Sequence, residues 1–244
     1  MTVDCINLNL LKQGGWEYKK VSPICGNAAF NYVKKAIELA LDNKIHAVVT
    51  GPISKEAINL AGYHYAGHTE IFAKFTNTKE YAMMLANNLL KVVHVTTHVS
   101  LKKVSELITS ERVLKVIRLT DDAMKMLAVE KPRIAVAGLN PHSSENGLFG
   151  DEEEKYIIPA IEAAKNEGID VYGPVSPDTV FVKALSGQYD SVVAMYHDQG
   201  HIASKTLDFE GTISLTIGLP FLRTSVDHGT AMDIAWRGVA SERS

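Results

Sequence analysis

Apolar positions along this chain change their spacing several times, and each change marks a new element. Between residues 27 and 41, Phe30, Val33, Ile37 and Ala40 recur at three- and four-residue intervals, the stripe of an amphipathic helix. The run Ala47-Val48-Val49-Thr50 is continuous and ends at Gly51-Pro52, so it reads as a buried strand. Ser54 stands where it can cap a short helix over 54–60. Strand patterns follow at 81–86 and 91–96, then a long amphipathic helix over 110–128, a strand over 133–138 and a helix over 152–167. Further strands are expected at 191–195 and 212–217. Such alternation predicts an α/β fold on a largely parallel sheet. Residues up to 18, and those from 240 onward, carry no clear period, and no internal repeat or low-complexity linker interrupts the chain.

Length and composition set bounds on this picture. With 244 residues, 46% of them hydrophobic, the chain can bury a substantial core in one large domain or two lobes. Its 25 Lys and Arg are interspersed with 28 Asp and Glu, giving a net charge of -3, which argues against a nucleic-acid surface. Cys5 and Cys25 form no paired spacing and read as reduced thiols. The first fifteen residues lack a basic start followed by an apolar segment, and no apolar run approaches membrane-spanning length. A cytoplasmic protein is expected, with no nucleic-acid or membrane partner, and small polar or anionic ligands stay open.

Ligands of open α/β sheets gather outside the carboxyl ends of the strands. Three of the nine histidines fall there: His98 after the run 92–97, His142 after 134–139 through Asn140-Pro141, and His197 after 192–196. Three imidazoles can hold a Zn, Mn or Co-type ion and leave positions free for a substrate. Their separations match no short metal motif, so each taken singly reads first as a satisfied strand-end histidine. His94, within a strand pattern, reads as a core residue, and His46 and His64 as surface or loop residues.

Other polar segments each carry two readings. Gly67-His68-Thr69-Glu70 precedes a helical run and is either an anion site at a helix start or an ordinary cap. Lys205 and Arg223 are either cations aimed at phosphate or carboxylate, or solvated side chains. Asp227-His228-Gly229-Thr230 is either an acid–base pair or a capped turn. No G-x-G-x-x-G, Walker A or G-x-S-x-G sequence occurs, which removes the usual warrants for Rossmann nucleotide binding, P-loop hydrolysis and the α/β-hydrolases. Motifs alone stop at a metal-dependent α/β enzyme.

Taken together, several blocks go further. Thr50-Gly51-Pro52 with Lys55, Gly67-His68-Thr69-Glu70, Thr96-Thr97-His98, Leu139-Asn140-Pro141-His142 with Glu145, Gly147 and Gly150, Tyr196-His197-Asp198-Gln199-Gly200, and Gly218-Leu219-Pro220 through Arg223 to Ala231 occur in order from about Gly26 to Ala240. They resemble the 4-hydroxythreonine-4-phosphate dehydrogenase family. The resemblance implies an isocitrate/isopropylmalate dehydrogenase-like fold: a single dehydrogenase domain over 1–244, made of two α/β/α lobes around a cleft, in a homodimer with a shared active site. It also implies NAD or NADP with a divalent metal (Zn, Mg, Mn or Co). The activity implied is oxidation and decarboxylation of 4-phosphohydroxy-L-threonine in pyridoxal 5'-phosphate biosynthesis.

By position, the resemblance makes His98, His142 and His197 metal ligands, and His68, Thr69, Lys205 and Arg223 substrate-binding. Ser214 stands where an Asn often contacts substrate. Lys205, Asp198 and Asp227 are the catalytic candidates, Asp198 and Asp227 either in acid–base work or behind the ligands; cofactor-binding residues stay unassigned. His201 occupies a position that is usually apolar in the biosynthetic enzymes, which is similar to the paralogous branch acting on D-threonate or D-erythronate 4-phosphate in sugar-acid catabolism. Trp236 replaces a usual Gly. Family segments upstream of Met1 and beyond Ser244 have no counterpart in this sequence, so a truncated, non-catalytic metal- or ligand-binding remnant is a further alternative.

Overall fold

A computed structural model of the protein describes residues 2–12, 14–226 and 228–241. In chain order the elements are α1 (Pro23–Leu41), β1 (Ala47–Thr50), α2 (Lys55–Leu60), α3 (His68–Phe75), β2 (Ala82–Ala86) and β3 (Lys91–His94). Next come α4 (Leu101–Leu107), α5 (Ser110–Met126), β4 (Ile134–Ala137), α6 (Ile158–Asn166), β5 (Val171–Val175) and α7 (Val180–Leu185). The series closes with β6 (Ser191–Ala194), α8 (His197–Leu207), β7 (Ile213–Ile217) and β8 (Leu222–Ser225). Two compact units result: Met1–Lys79 with Leu219–Glu242, and Glu80–Gly218.

The first unit forms around the stripe on α1. Phe30, Val33, Ile37 and Ala40 are all buried, as the spacing predicts, against Val48, Ile58, Ile71, Phe72, Leu219 and Phe221. Phe30 stacks on Tyr63 with ring centroids 3.7 Å apart. The Ser54 hydroxyl accepts from the Ala57 amide at 3.2 Å, so the expected cap of α2 is present. Strands β1 and β8 pair in parallel, setting Val48 beside Arg223 and Thr50 beside Ser225.

In the second unit the strand order is β7-β2-β3-β6-β4-β5. The three pairings among β3, β6, β4 and β5 are parallel, and every residue of β4 and β6 is buried, which is why those runs are apolar without alternation. Antiparallel pairing sets β2 apart from the largely parallel expectation. A tight turn causes it: the Asn87 side-chain oxygen accepts from the Leu89 and Leu90 amides, the Asn87 backbone N–H donates to Leu90 O, and so short a connection only joins antiparallel strands.

Four elements escaped the periodicity. Strand β5 carries Gly173-Pro174, residues that argue against a strand, yet it is the edge of its sheet, where a missing N–H is tolerated. Strand β8 buries Arg223 and Ser225 rather than apolar residues, and α4 and α7 are too short to show a stripe. The expected helix over 152–167 begins with a π-helical turn at Glu153–Ile157. Pro159 has no N–H to give Lys155 O, and the Ser110 hydroxyl supplies that bond instead at 3.3 Å. Among the described residues no helix is long and apolar enough to cross a membrane.

Gly26 shows how closely α1 and α2 pack: a methyl group at its Cα would overlap the Ala57 carbonyl, a backbone atom with nowhere to move. Gly26→Ala should therefore cost about 1–3 kcal/mol in denaturant unfolding by overpacking. A change of under a few tenths would contradict this packing.

Candidate active site

Strand ends of the second unit are bound to one another before any chemistry is considered. Thr96 follows β3, and both its amide and its hydroxyl donate to Met195 O, at 3.2 and 2.9 Å. In the first turn of α5, the half-buried Arg112 donates from Nε to Val95 O at 3.0 Å and from both terminal nitrogens to Tyr81 O at 3.3 Å. At the start of α8, the Gln199 side-chain oxygen accepts from the Met195 amide at 2.6 Å, and its nitrogen donates to Gly138 O at 2.9 Å. The ends of β3, β6 and β4 are thereby fixed relative to one another.

On this frame sit the three strand-end histidines. His98 and His197 approach each other, ring centroids 5.7 Å apart, and line one pocket with Thr97, Tyr196 and Asp198. His197 Nδ1 lies 2.6 Å from Asp198 Oδ1; a carboxylate accepts, so Nδ1 carries the hydrogen and the Nε2 lone pair remains for a ligand. His142 lines a second pocket that shares Tyr196 and Asp198 with the first. Among the described residues, no three His, Cys, Asp or Glu side chains converge closely enough to hold a metal ion. The structure thus brings His98 and His197 together and leaves His142 beside them. Two imidazoles, one backed by a carboxylate, are a donor set that suits a borderline divalent cation.

The loop bearing His142 rests on a carboxylate that the sequence did not single out. Glu153 is buried and accepts from the Leu139 and Asn140 amides, both at 2.8 Å, and from Asn140 Nδ2 at 2.9 Å. Glu152 takes the same Asn140 nitrogen at 2.7 Å. Beyond Pro141, His142, Ser143, Ser144, Glu145 and Asn146 all have positive φ. Five such non-glycine residues in a row form a costly backbone. No local signal marked Glu153, because its partners are mainly backbone amides; Gln199 lay inside a recognised block without an evident role.

Substrate candidates of the first unit gather on α3 and β8. Gly67 caps α3, which begins at His68 itself rather than after Glu70, and Glu70 Oε2 reaches back to the Ala66 amide at 2.8 Å. Arg223 is 3% exposed, donates to Thr50 Oγ1 at 2.8 Å and lies 5.3 Å above the Phe72 ring. Burial lowers its pKa to about 10, which leaves it charged. Burial first, and the Arg223 charge second, push His68 down to about 4, so His68 is neutral near pH 7. A fixed cation, a neutral imidazole and the open amides at the start of α3 beside Thr69 make an electropositive corner suited to an anion.

Back in the second unit, Lys205 lies on α8 eight residues beyond His197, its ammonium 5.8 Å from the Phe209 ring. Ser214 is buried in β7 opposite Leu85. Asp198 is exposed and engaged by His197. Asp227 lies outside the described residues. His94 is fully buried in β3, as its setting predicted, and desolvation followed by the neighbouring His201 lowers it to about 3.

Comparison with known proteins bears out the resemblance read from the motif blocks. Residues 1–244 match the family described as pyridoxal phosphate biosynthetic protein PdxA. D-threonate 4-phosphate dehydrogenase of Pectobacterium atrosepticum is 54% identical over 219 residues, 90% of this chain and 67% of that protein. Its namesake from Salmonella typhimurium is 53% identical over 228 residues, 93% of this chain and 70% of that protein. A solved structure of 4-hydroxythreonine-4-phosphate dehydrogenase from Klebsiella pneumoniae superposes with a TM-score of 0.91 at 48% identity, covering 95% of this chain and 70% of that one.

Two measurements check this geometry. Glu153→Gln keeps an oxygen for the two backbone amides but sets a donor against the donor Asn140 Nδ2, and it should cost about 2 kcal/mol in unfolding while leaving the molecule folded; a neutral substitution would contradict the cradle. Between pH 6.5 and about 4 the unfolded chain takes up a proton at position 68 that the folded protein refuses, so this stability is present above that window and lost as pH falls through it. His68→Gln should flatten the acid limb of a stability–pH curve, and an unchanged limb would show that His68 is not held neutral.

Proposed function

This chain belongs to the PdxA family and is an oxidoreductase, and from that premise we propose that it oxidises the secondary alcohol of a hydroxy acid bearing a 4-phosphate. The observation that carries the proposal is the buried Arg223 beside neutral His68 at the start of α3, a corner whose charge calls for an anionic ligand. The substrate proposed first is 4-phosphohydroxy-L-threonine, oxidised and decarboxylated on a route to pyridoxal 5'-phosphate. D-threonate 4-phosphate is the second reading, favoured by the names of the Pectobacterium and Salmonella relatives and by His201, which resembles that branch. NAD or NADP as acceptor, a divalent metal and a cytoplasmic homodimer with a shared site belong to the same proposal.

Each residue then has a physical task. Arg223 supplies fixed positive charge in a poorly solvated setting, where an ion pair is stronger than in water. His68 donates a hydrogen bond without adding a second charge, and Thr69 offers its hydroxyl in the same helical turn. Lys205 adds a cation on α8. His98 and His197 are the residues that would hold the metal, with His142 lining the adjoining pocket, and Asp198 keeps the proton of His197 on Nδ1. When bound, the metal supplies Lewis acidity at the substrate oxygens and the nicotinamide accepts hydride.

The test is the appearance of reduced nicotinamide when the purified protein is given divalent metal, NAD or NADP, and each phosphorylated acid in turn. Turnover should be abolished by a chelator and restored by added metal, and Arg223→Met should lower kcat/KM about a hundredfold. Binding of a phosphorylated acid with no reduction under any pairing would replace this proposal with that of a non-catalytic binding protein.

A further inference from the structure

Two histidines outside the proposed donor set pack directly against it. His94 comes from β3 and is fully buried; His201 comes from α8, one turn beyond His197, and is 6% exposed. The His201 and His197 rings stack with centroids 3.6 Å apart and planes 15° from parallel. His201 Nδ1 lies 3.0 Å from the His197 carbonyl and 3.2 Å from His94 Nε2. Because a carbonyl oxygen only accepts, His201 Nδ1 carries the hydrogen, which is shared between the His197 carbonyl and His94 Nε2. His94 Nδ1 faces Met83 O at 3.3 Å, which requires a hydrogen on that nitrogen as well. With the His201 hydrogen shared and the His94 hydrogen on Nδ1, each contact from Met83 to His197 has one donor and one acceptor.

A second observation comes from the backbone. Gly200 lies in the first turn of α8, and a methyl group at its Cα would overlap His94 Nε2 and Val92 Cγ1. The missing side chain lets α8 descend onto β3 until the His94 ring reaches His201. The residues flanking His94 are Val92 and Val93 in β3 and Val95 just beyond it, all buried, so a polar ring there is an exception.

We infer that His94 and His201 are positioning residues for His197: the hydrogen bond from His201 to His94 fixes the His201 ring, and the stack on that ring sets the plane of His197. With Asp198 holding Nδ1, the His197 ring is restrained on its face and at one nitrogen, and Nε2 is aimed at its ligand. The inference rests on the reading of His197 as a ligand of a divalent cation.

Titration of the full chain with Co2+ alone, read by calorimetry and by the visible absorption of the bound ion, tests it. His197→Ala and His98→Ala should each abolish tight binding. His201→Ala should weaken binding by about 10- to 100-fold and alter the spectrum. His94→Leu should weaken it less, whereas His201→Phe, which keeps a stacked ring, should recover most of the affinity. Should His201→Ala fail to fold, His201→Gln removes the ring, keeps a donor toward His94 and carries the same expected loss. Folding of each variant is checked by circular dichroism, since a merely structural role would lower the melting temperature and leave affinity and spectrum unchanged. A folded His201→Ala or His201→Gln that binds Co2+ as the parent does, while His197→Ala does not bind, overturns the positioning role alone. Unchanged binding in His197→Ala overturns the metal reading, and the role of the pair with it.

Discussion

Where parallel strands end, their last N–H and C=O groups need partners, and in the second unit the side chain of Gln199 meets that need. One amide spans two strands: its oxygen takes the Met195 amide at the end of β6, and its nitrogen serves Gly138 O at the end of β4. An amide is the one neutral side chain that both accepts and donates on a short rigid fork, so neither Glu nor Lys can replace it here. Thr96 and Arg112 extend the same bracing to β3. Because His98, His142 and His197 each follow one of these ends, their mutual placement depends on the bonds made by Gln199, Thr96 and Arg112.

Electrostatics divides the two units by task. A buried guanidinium such as Arg223 costs several kcal/mol in lost hydration, which its bond to Thr50 and its place over Phe72 offset only in part. The parallel pairing of β1 with β8 brings Thr50 and Arg223 together across 173 positions of sequence, so the cation is built into the fold rather than hung on a loop. In the second unit, the candidate ligands are imidazoles, one of them backed by the exposed Asp198, a donor set that suits a cation rather than an anion. The two units thus differ in the charge of the ligand that each would favour.

How much of this the sequence revealed depends on how local each cause is. The stripe on α1, the cap at Ser54, the unbroken apolar runs of β4 and β6 and the histidines at strand ends rest on neighbours within a few positions, and all are legible. Strand β5 is not, because its Gly173-Pro174 is tolerated only at a sheet edge, and edges are decided by the whole topology. The antiparallel turn of β2 hides in an Asn whose role appears only when its side chain folds back on Leu89 and Leu90. His94 reads correctly as a core histidine, yet its partner His201 is 107 positions away, and nothing near either residue announces the pair. The convergence of His98 with His197 is legible only as a consequence of strand order, and strand order is not written at either position.

The His142 loop shows the same dependence in energetic terms. Left-handed backbone costs roughly 1–2 kcal/mol per non-glycine residue, and His142 through Asn146 adopt it in succession. Such a run persists only where its ends are held. One end is held by Glu153, whose carboxylate gathers two backbone amides and Asn140; the other by the Phe149 amide bonding back to Ser144 O and by the Gly147 amide on the Ser144 hydroxyl. Glu153 itself stands in the π-helical turn that precedes Pro159, and that wider turn sets where its side chain enters the loop. A proline in one helix, a carboxylate one and a half turns earlier and a strained loop bearing a candidate ligand therefore form one mechanical unit, in which the cost of the loop is met by charge-assisted bonds buried beneath it.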